Sequence, residues 1–246
     1  MTAVAWVAGA PVDVSDVDAR EAGLRAGPVA PTLPRERTSE GRQLRRWLVQ
    51  VLVAERLVAA EAARRGLDEA GAPALSELAP DRAAMLTLGS VAADLLTRNP
   101  LARAVFVTVT ADVSVPPSAV EDFYRRNPER FSVPEERVIR DAAGRRVLRR
   151  GELTGPAEDA VFAAAAGETV GPVRDPLGTH TFVVEEVRPA RMLPLDMKAI
   201  GGWLAASARR RAFTAWLDLQ IAERVRLAPG FEHPGDPSQP DNTHRH

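Results

Sequence analysis

An α+β fold is predicted by three features of the sequence. Two long stretches, 39–65 and 194–227, carry apolar residues at helical spacing. The stretch 150–187 compresses a capped helix, a tight turn and two β-rich runs into one compact unit. At the start of the chain, 4–7 and 11–14 flank Ala8-Gly9-Ala10 as the arms of a small hairpin. With 246 residues and 45% apolar content, the chain is long enough to bury a core.

After the hairpin, Ser15 is read as the cap of a helix with Asp16 and Asp18 in its first turn, where carboxylates meet the positive end of the helix dipole. The three prolines of 27–37 mark a linker. The helix predicted over 39–65 places Leu44, Leu48, Val51, Val58 and Ala62 on one stripe and stops at Gly66. Its apolar surface is too broad for a solvated helix, so another helix must cover it. A connection at 68–80 follows, then a helix over 81–97 with Met85, Leu88, Ala92 and Leu95 facing one way, closed by Asn99-Pro100. A strand is expected at 105–109, a helix at 116–126 and a strand at 136–141 centred on Val138 and Ile139, with 142–149 as a short connection. The final helix, 194–227, repeats Phe213, Leu217, Ile221 and Val225 every four residues.

Composition excludes several functions. A net charge of −1 with both signs mixed leaves no nucleic-acid or anionic-membrane footprint. Cysteine is absent, which removes disulfides, thiolate nucleophiles and Cys-held metals, and Lys198 is the single lysine. The opening residues lack a basic segment and Asp13 interrupts them, so no signal peptide is read; no apolar run approaches the ~20 residues of a membrane span. A cytoplasmic protein is expected.

Within 150–187, Thr154 is read as a helix cap with Pro156 and Glu158 in the first turn, Phe162 inward and Gly167 at the stop; 171–173 is a short strand, 175–178 a turn and 180–187 a strand. Arg150, Gly151, Leu153, Pro156, Glu158, Asp159, Ala160 and Phe162, then Gly167, Glu168, Gly171, Pro172, Val173, Gly178 and His180, resemble the second half of a parvulin-type peptidyl-prolyl cis-trans isomerase domain. The N-terminal hairpin with its acidic helix, and the run 113–131 with Glu121, Phe123, Tyr124, Asn127 and Phe131, are similar to segments of SurA- and PrsA-like chaperones. The resemblance implies a chaperone-like helical lobe (1–131), a truncated parvulin-like sheet domain (132–190), a C-terminal helix returning to the lobe (191–228) and a His/Asp/Pro-rich tail (229–246).

It also implies site residues. His180 matches the family's last-strand histidine, a catalytic position, and Leu153 the methionine of the proline slot; Ala157 stands where a slot phenylalanine is expected, Phe162 fits a buried phenylalanine, and Phe182 joins them as a substrate-binding residue. The first-strand histidine is replaced by Val138, Ile139 and Arg140. Only about a dozen residues separate Ile139 from Gly151, where the family inserts two helices. Turning a prolyl amide meets a barrier of ~18–20 kcal/mol and needs a shaped slot with placed hydrogen bonds. With half of that apparatus missing, isomerase chemistry is expected to be degenerate or absent, and a lone strand histidine reads as structural.

The tail holds His233, His244 and His246 with Asp236 and Asp241, all suitable ligands for a divalent metal, although their spacing matches no zinc signature. Its composition otherwise suits a terminus without a core of its own. No other cofactor is implied. The expected partner is an extended polypeptide or a partner enzyme. The alternative is a biosynthetic enzyme, because the chain also looks like a family of small actinobacterial proteins some of which are described as malonyl-CoA:acyl-carrier-protein transacylases. Against it, no G-x-S-x-G elbow occurs, and Ser90 after Gly89 has no glycine to follow it. On that alternative His180 and the C-terminal histidines would carry the chemistry.

Overall fold

The computed structural model describes residues 2–175 and 178–232. Strands β1 (Ala3–Val7) and β2 (Ala10–Asp13) form the hairpin, and α1 (Val14–Arg25) follows at once. Its cap is Asp13, two residues before the expected Ser15, and the Asp16 carboxylate accepts the Asp13 N–H at 3.3 Å. Helix α2 (Ser39–Arg65) has the expected bounds. Thr38 Oγ1 accepts the Gly41 N–H at 3.0 Å, and Gly66 ends the helix at φ 66°. Gly41 is needed for space, because a Cβ there would collide with the Arg35 carbonyl oxygen.

The next stretch departs from expectation. The connection at 68–80 contains α3 (Leu75–Leu78), and the helix expected at 81–97 is two, α4 (Arg82–Leu86) and α5 (Gly89–Arg98). Apolar periodicity runs through the break, but Gly89 at φ +73° turns the backbone out of the helix. The strand expected at 105–109 is the second half of α6 (Pro100–Val109), whose start is capped by Asn99 through the Ala102 N–H. Valine and threonine favour strands, yet Pro at the first helical position and burial of Ala102, Val105 and Phe106 on one face override them.

Further along lie α7 (Pro117–Arg126), β3 (Ser132–Val133), β4 (Glu136–Asp141), β5 (Gly144–Arg149), α8 (Pro156–Ala163), β6 (Thr169–Asp175), β7 (Gly178–Arg188), β8 (Arg191–Met192), α9 (Met197–Arg224) and β9 (Val225–Leu227). The expected short connection 142–149 is thus an antiparallel strand, paired from Glu136↔Arg149 to Asp141↔Gly144. The last helix ends three residues short of 227, because β9 pairs with β1 through Ala5↔Leu227 and Val7↔Val225. Helix α8 begins at Pro156 behind Gly155, not under a Thr154 cap.

The chain divides into two compact units, one formed by residues up to Val115 together with those from Gly202 onward, the other by Pro116–Gly201. The second unit therefore opens ahead of residue 132, where the sheet domain was expected to start. In the helical unit α2 is the central element, with Leu48, Val49, Val51, Leu52, Val53, Ala54, Leu57 and Val58 all buried. A run buried on consecutive positions is enclosed on every side. Helices α1, α5 and α6 and strand β1 pack around it, and α9 contributes Phe213 and Leu217 to the same core. Phe213 stacks on Trp216 at 5.6 Å and meets Phe106 at 5.1 Å between ring centroids. Helix α1 is fastened to α2 by Arg20–Glu55, Arg45–Asp18, Arg45–Glu21 and Arg56–Asp16.

In the second unit, a four-stranded antiparallel sheet runs β5-β4-β7-β6. Helix α8 covers one face, joining Ile139, Leu148, Val161, Phe162, Val170, Phe182 and Val184 in a small core. Elsewhere on the sheet, charges are paired: Glu185 with Arg140 and Arg145, Glu136 with Arg149 and Arg188.

Two outcomes are expected. Phe213→Ala empties the contact with Phe106 and lowers stability to chemical denaturation by about 3–5 kcal/mol. Glu61, 4% exposed, is held by Arg64 at 2.7 Å and Arg65 at 2.5 Å, and hydrogen bonding to Arg64 above all lowers its carboxyl from 4.5 to about 2. A depressed carboxylate stabilises the fold above its unfolded pKa and ceases to do so as pH falls through the folded one. Acid titration of stability should therefore lose slope between about pH 4.5 and 2 in Glu61→Gln relative to the parent.

Candidate functional site

The motif at 150–162 builds a scaffold. The Glu158 carboxylate accepts the backbone N–H groups of Gly151 and Leu153, each at 3.1 Å, closing the loop that precedes α8. Gly151 needs its freedom there, at φ +98°. Arg150 forks onto Glu135 at 2.8 and 3.0 Å and lies over the Phe162 ring at 4.6 Å. Arg137, 4% exposed, lies 5.1 Å from the same ring centroid, donates to the Phe162 carbonyl at 2.6 Å and pairs with Glu135 at 2.7 Å. Hydrogen bonding to Arg150 and then Arg137 holds the Glu135 carboxyl below its usual value. Phe162 is thus fixed beside two guanidinium groups that share one carboxylate.

His180 sits on β7 opposite Val173, half-buried, its ring stacked on Phe182 at 5.9 Å with 16° between planes. Two residues apart on a strand, the two rings share the sheet face that α8 covers. Gly171, at φ +121°, lies so close to the His180 carbonyl that an added Cβ would stand 2.6 Å from its oxygen. The Gly-Pro-Val motif is therefore a close backbone approach between β6 and β7.

The expected slot residues meet at this core, but in a way that changes their role. Ala157, Phe162 and Phe182 are 2%, 4% and 2% exposed, while Leu153 is half-buried against them. They fill the space between α8 and the sheet and offer no open wall to a proline ring. Their burial follows from a sheet with only α8 to complete its core. At the first-strand positions, Val138 and Ile139 are fully buried and Arg140 is engaged by Glu185. His180 is the one histidine among the described residues, so among them no second imidazole stands beside it. His233, His244 and His246, with Asp236 and Asp241, lie outside the described residues, as does the 176–177 part of the expected turn. Among the described residues no group of His, Asp and Glu side chains could hold a metal ion. None of the described helices is long and apolar enough to cross a membrane.

Ser90 stands exposed in the first turn of α5, where its Oγ accepts from Trp47 Nε1 at 3.2 Å. That contact is with a donor and supplies no base to Ser90.

Other surfaces were not singled out by the sequence. The segment trailing the sheet exposes Met192 (46%), Leu193 (37%), Leu195 (38%) and Met197 (38%) in succession. It is anchored through Leu193, whose N–H donates to the Phe131 carbonyl at 2.6 Å and whose carbonyl accepts from Tyr124 Oη at 2.5 Å. The apolar letters were visible, but they lay inside the stretch assigned to a helix. The helical unit also holds a cavity of about 310 Å³ beside Leu78, Phe106 and Val107, and one of about 360 Å³ bounded by α2, α5 and α9.

Residues 3–40 match a family of unknown function (DUF7158). No curated protein matches the chain in sequence. Two solved structures are similar to it, both from work on PEB4, a virulence factor, and the periplasmic protein Cj1289, described as structurally related SurA-like chaperones in the human pathogen Campylobacter jejuni. One aligns at TM-score 0.47 and 15% identity over 92% of this chain and 100% of its own. The other aligns at 0.42 and 11%, over 93% and 100%.

Arg137→Ala should lower stability by about 1–3 kcal/mol, since it leaves the Phe162 carbonyl without its donor. The loss is expected in denaturant melts of the whole chain. A variant as stable as the parent would show that the Arg137, Glu135 and Arg150 cluster does not hold α8 to the sheet.

Proposed function

We propose that this is a chaperone-type protein that binds extended segments of other polypeptides, with a sheet unit related to peptidyl-prolyl isomerases but without efficient isomerase chemistry. The observation that carries the reading is the exposed apolar run Met192, Leu193, Leu195 and Met197. Soluble proteins seldom leave such a succession uncovered unless something binds it. Its backbone is tied down at Leu193 while its side chains stay exposed, which suits a surface meeting many apolar sequences without ordering itself first. Methionine adapts to varied partners through its flexible, polarizable side chain. Burial of Ala157, Phe162 and Phe182 supports the loss of isomerase chemistry, because a slot already filled by core side chains cannot favour a twisted amide. On this reading His180 is a structural residue of β7.

Cytoplasmic operation without a cofactor belongs to the same proposal, and the tail histidines are its main competitor. Chelation is expected to leave the melting temperature of the full chain unchanged. A stoichiometric divalent ion in the purified protein, lost together with thermal stability on chelation, would instead assign His233, His244 and His246 to a metal.

The protein should delay aggregation of a chemically unfolded test protein, and replacing Met192, Leu195 and Met197 together by serine should weaken that effect severalfold. His180→Ala should leave it intact, and prolyl isomerisation should stay at the uncatalysed rate in both. Failure to bind any member of an array of unfolded peptides would sink the proposal.

A further inference from the structure

Gln50 lies in the most enclosed stretch of α2, between Val49 and Val51, and is 3% exposed. Its Nε2 is buried and donates to no group among the described residues. A buried donor left unmet opposes folding, and an apolar side chain of similar length would be easily accommodated among such neighbours. Gln50 is nonetheless one of the residues lining the cavity of about 360 Å³, whose apolar wall includes Leu88, Val91, Leu217 and Ile221. The exposed Asp218 stands at the rim of the same cavity. At its α5 end, the N-cap residue Leu88 has no side-chain oxygen to offer the first turn, so helix α5 adds partial positive character inside the cavity.

We propose that this cavity is a subsite for one large apolar side chain of an extended polypeptide, whose adjoining peptide carbonyl accepts a hydrogen bond from Gln50 Nε2 and whose neighbouring basic residue faces Asp218. The proposal rests on the polypeptide-binding reading above and adds to it a second place of contact and a sequence preference. The volume lies near the lower end of ligand pockets, roughly 300–1,000 Å³, which suits one side chain with its peptide group and not a large cofactor. A neutral amide donor deep in an apolar recess matches a neutral carbonyl, the group every peptide link presents. Asp218 at the rim repels carboxylates and phosphates and attracts a lysine or arginine beside the apolar residue. The expected preference is an apolar residue next to a basic one.

The test uses the full chain and a fluorescein-labelled unfolded peptide with alternating leucine and lysine, compared with one in which glutamate replaces lysine. The parent should bind the lysine peptide more tightly. Gln50→Met should weaken that binding about tenfold while raising the melting temperature, a combination that a purely structural role would not give. Asp218→Lys should reverse the preference between the two peptides. Ala222→Trp, built from an exposed position on the rim, should block binding without loss of stability and keeps the test decisive if the buried variant folds poorly. Equal binding of the lysine peptide by the parent and all three variants would overturn the subsite while leaving polypeptide binding in place. No binding of either peptide by the parent, together with no protection of an unfolded protein, would overturn both.

Discussion

The helical unit depends on one demand: α2 is buried over most of its circumference through its middle and must be surrounded. From Leu48 to Val58 nearly every residue is withdrawn from water. Alone, such a helix would be insoluble and poorly stable, since burial of its surface by partners supplies most of the stabilisation of a helix. The partners come from both sides in sequence: α1 and β1 before it, α5 and α6 after it, and α9 beyond the whole sheet unit. Hydrogen bonding between β1 and β9 then ties the returning segment to the first strand, with the Ala8 N–H reaching the Arg224 carbonyl at 2.8 Å as an additional clasp.

The sheet unit answers a different constraint. Four strands and one short helix supply little apolar area, so the residues between α8 and the sheet are all committed to the core. Between α8 and the sheet this chain packs Ala157, Phe162 and Phe182, and it sets two guanidinium groups against the fixed Phe162 ring. The motif at 150–162 therefore serves the architecture: a carboxylate that closes a loop, a glycine that permits it, and an arginine that lies over a ring.

What could be read in advance follows the strength of the local signals. The end of α2 was legible because Gly66 punctuates it, and β4 and β7 because their β-branched runs are flanked by breakers. The strand expected at 105–109 became helix because five residues are too few to separate the two periods, and the proline and asparagine that start α6 lie outside that window. Strand β5 was not legible because Arg145, Arg146 and Arg149 hide its alternation; charge of this kind keeps an edge strand from recruiting strangers. Periodicity carried the last helix through Val225, a residue that still contacts the same core after the backbone becomes β9. Of the candidate site, the assembly of Leu153, Ala157, Phe162 and Phe182 in one place was legible from resemblance, but their enclosure depends on what α8 covers. Gln50 gave no signal at all, because an isolated glutamine in a helix reads as a solvated position until its neighbours are known.

The pairing of β1 with β9 has a consequence for synthesis. On the ribosome, residues 3–7 emerge well before the strand that borders them, and Phe106 well before the aromatic ring that fills the core beside it. At roughly 5–20 residues per second, the interval between translating Val115 and Leu227 is on the order of 5–20 s. During that interval α2 has its early neighbours but lacks Phe213 and Leu217 of α9, while Pro116–Gly201, contiguous in the chain, is synthesised whole. The nascent protein thus passes through a period in which its own unfinished half is the greasiest surface present, and translation speed across the sheet segment sets how long that exposure lasts.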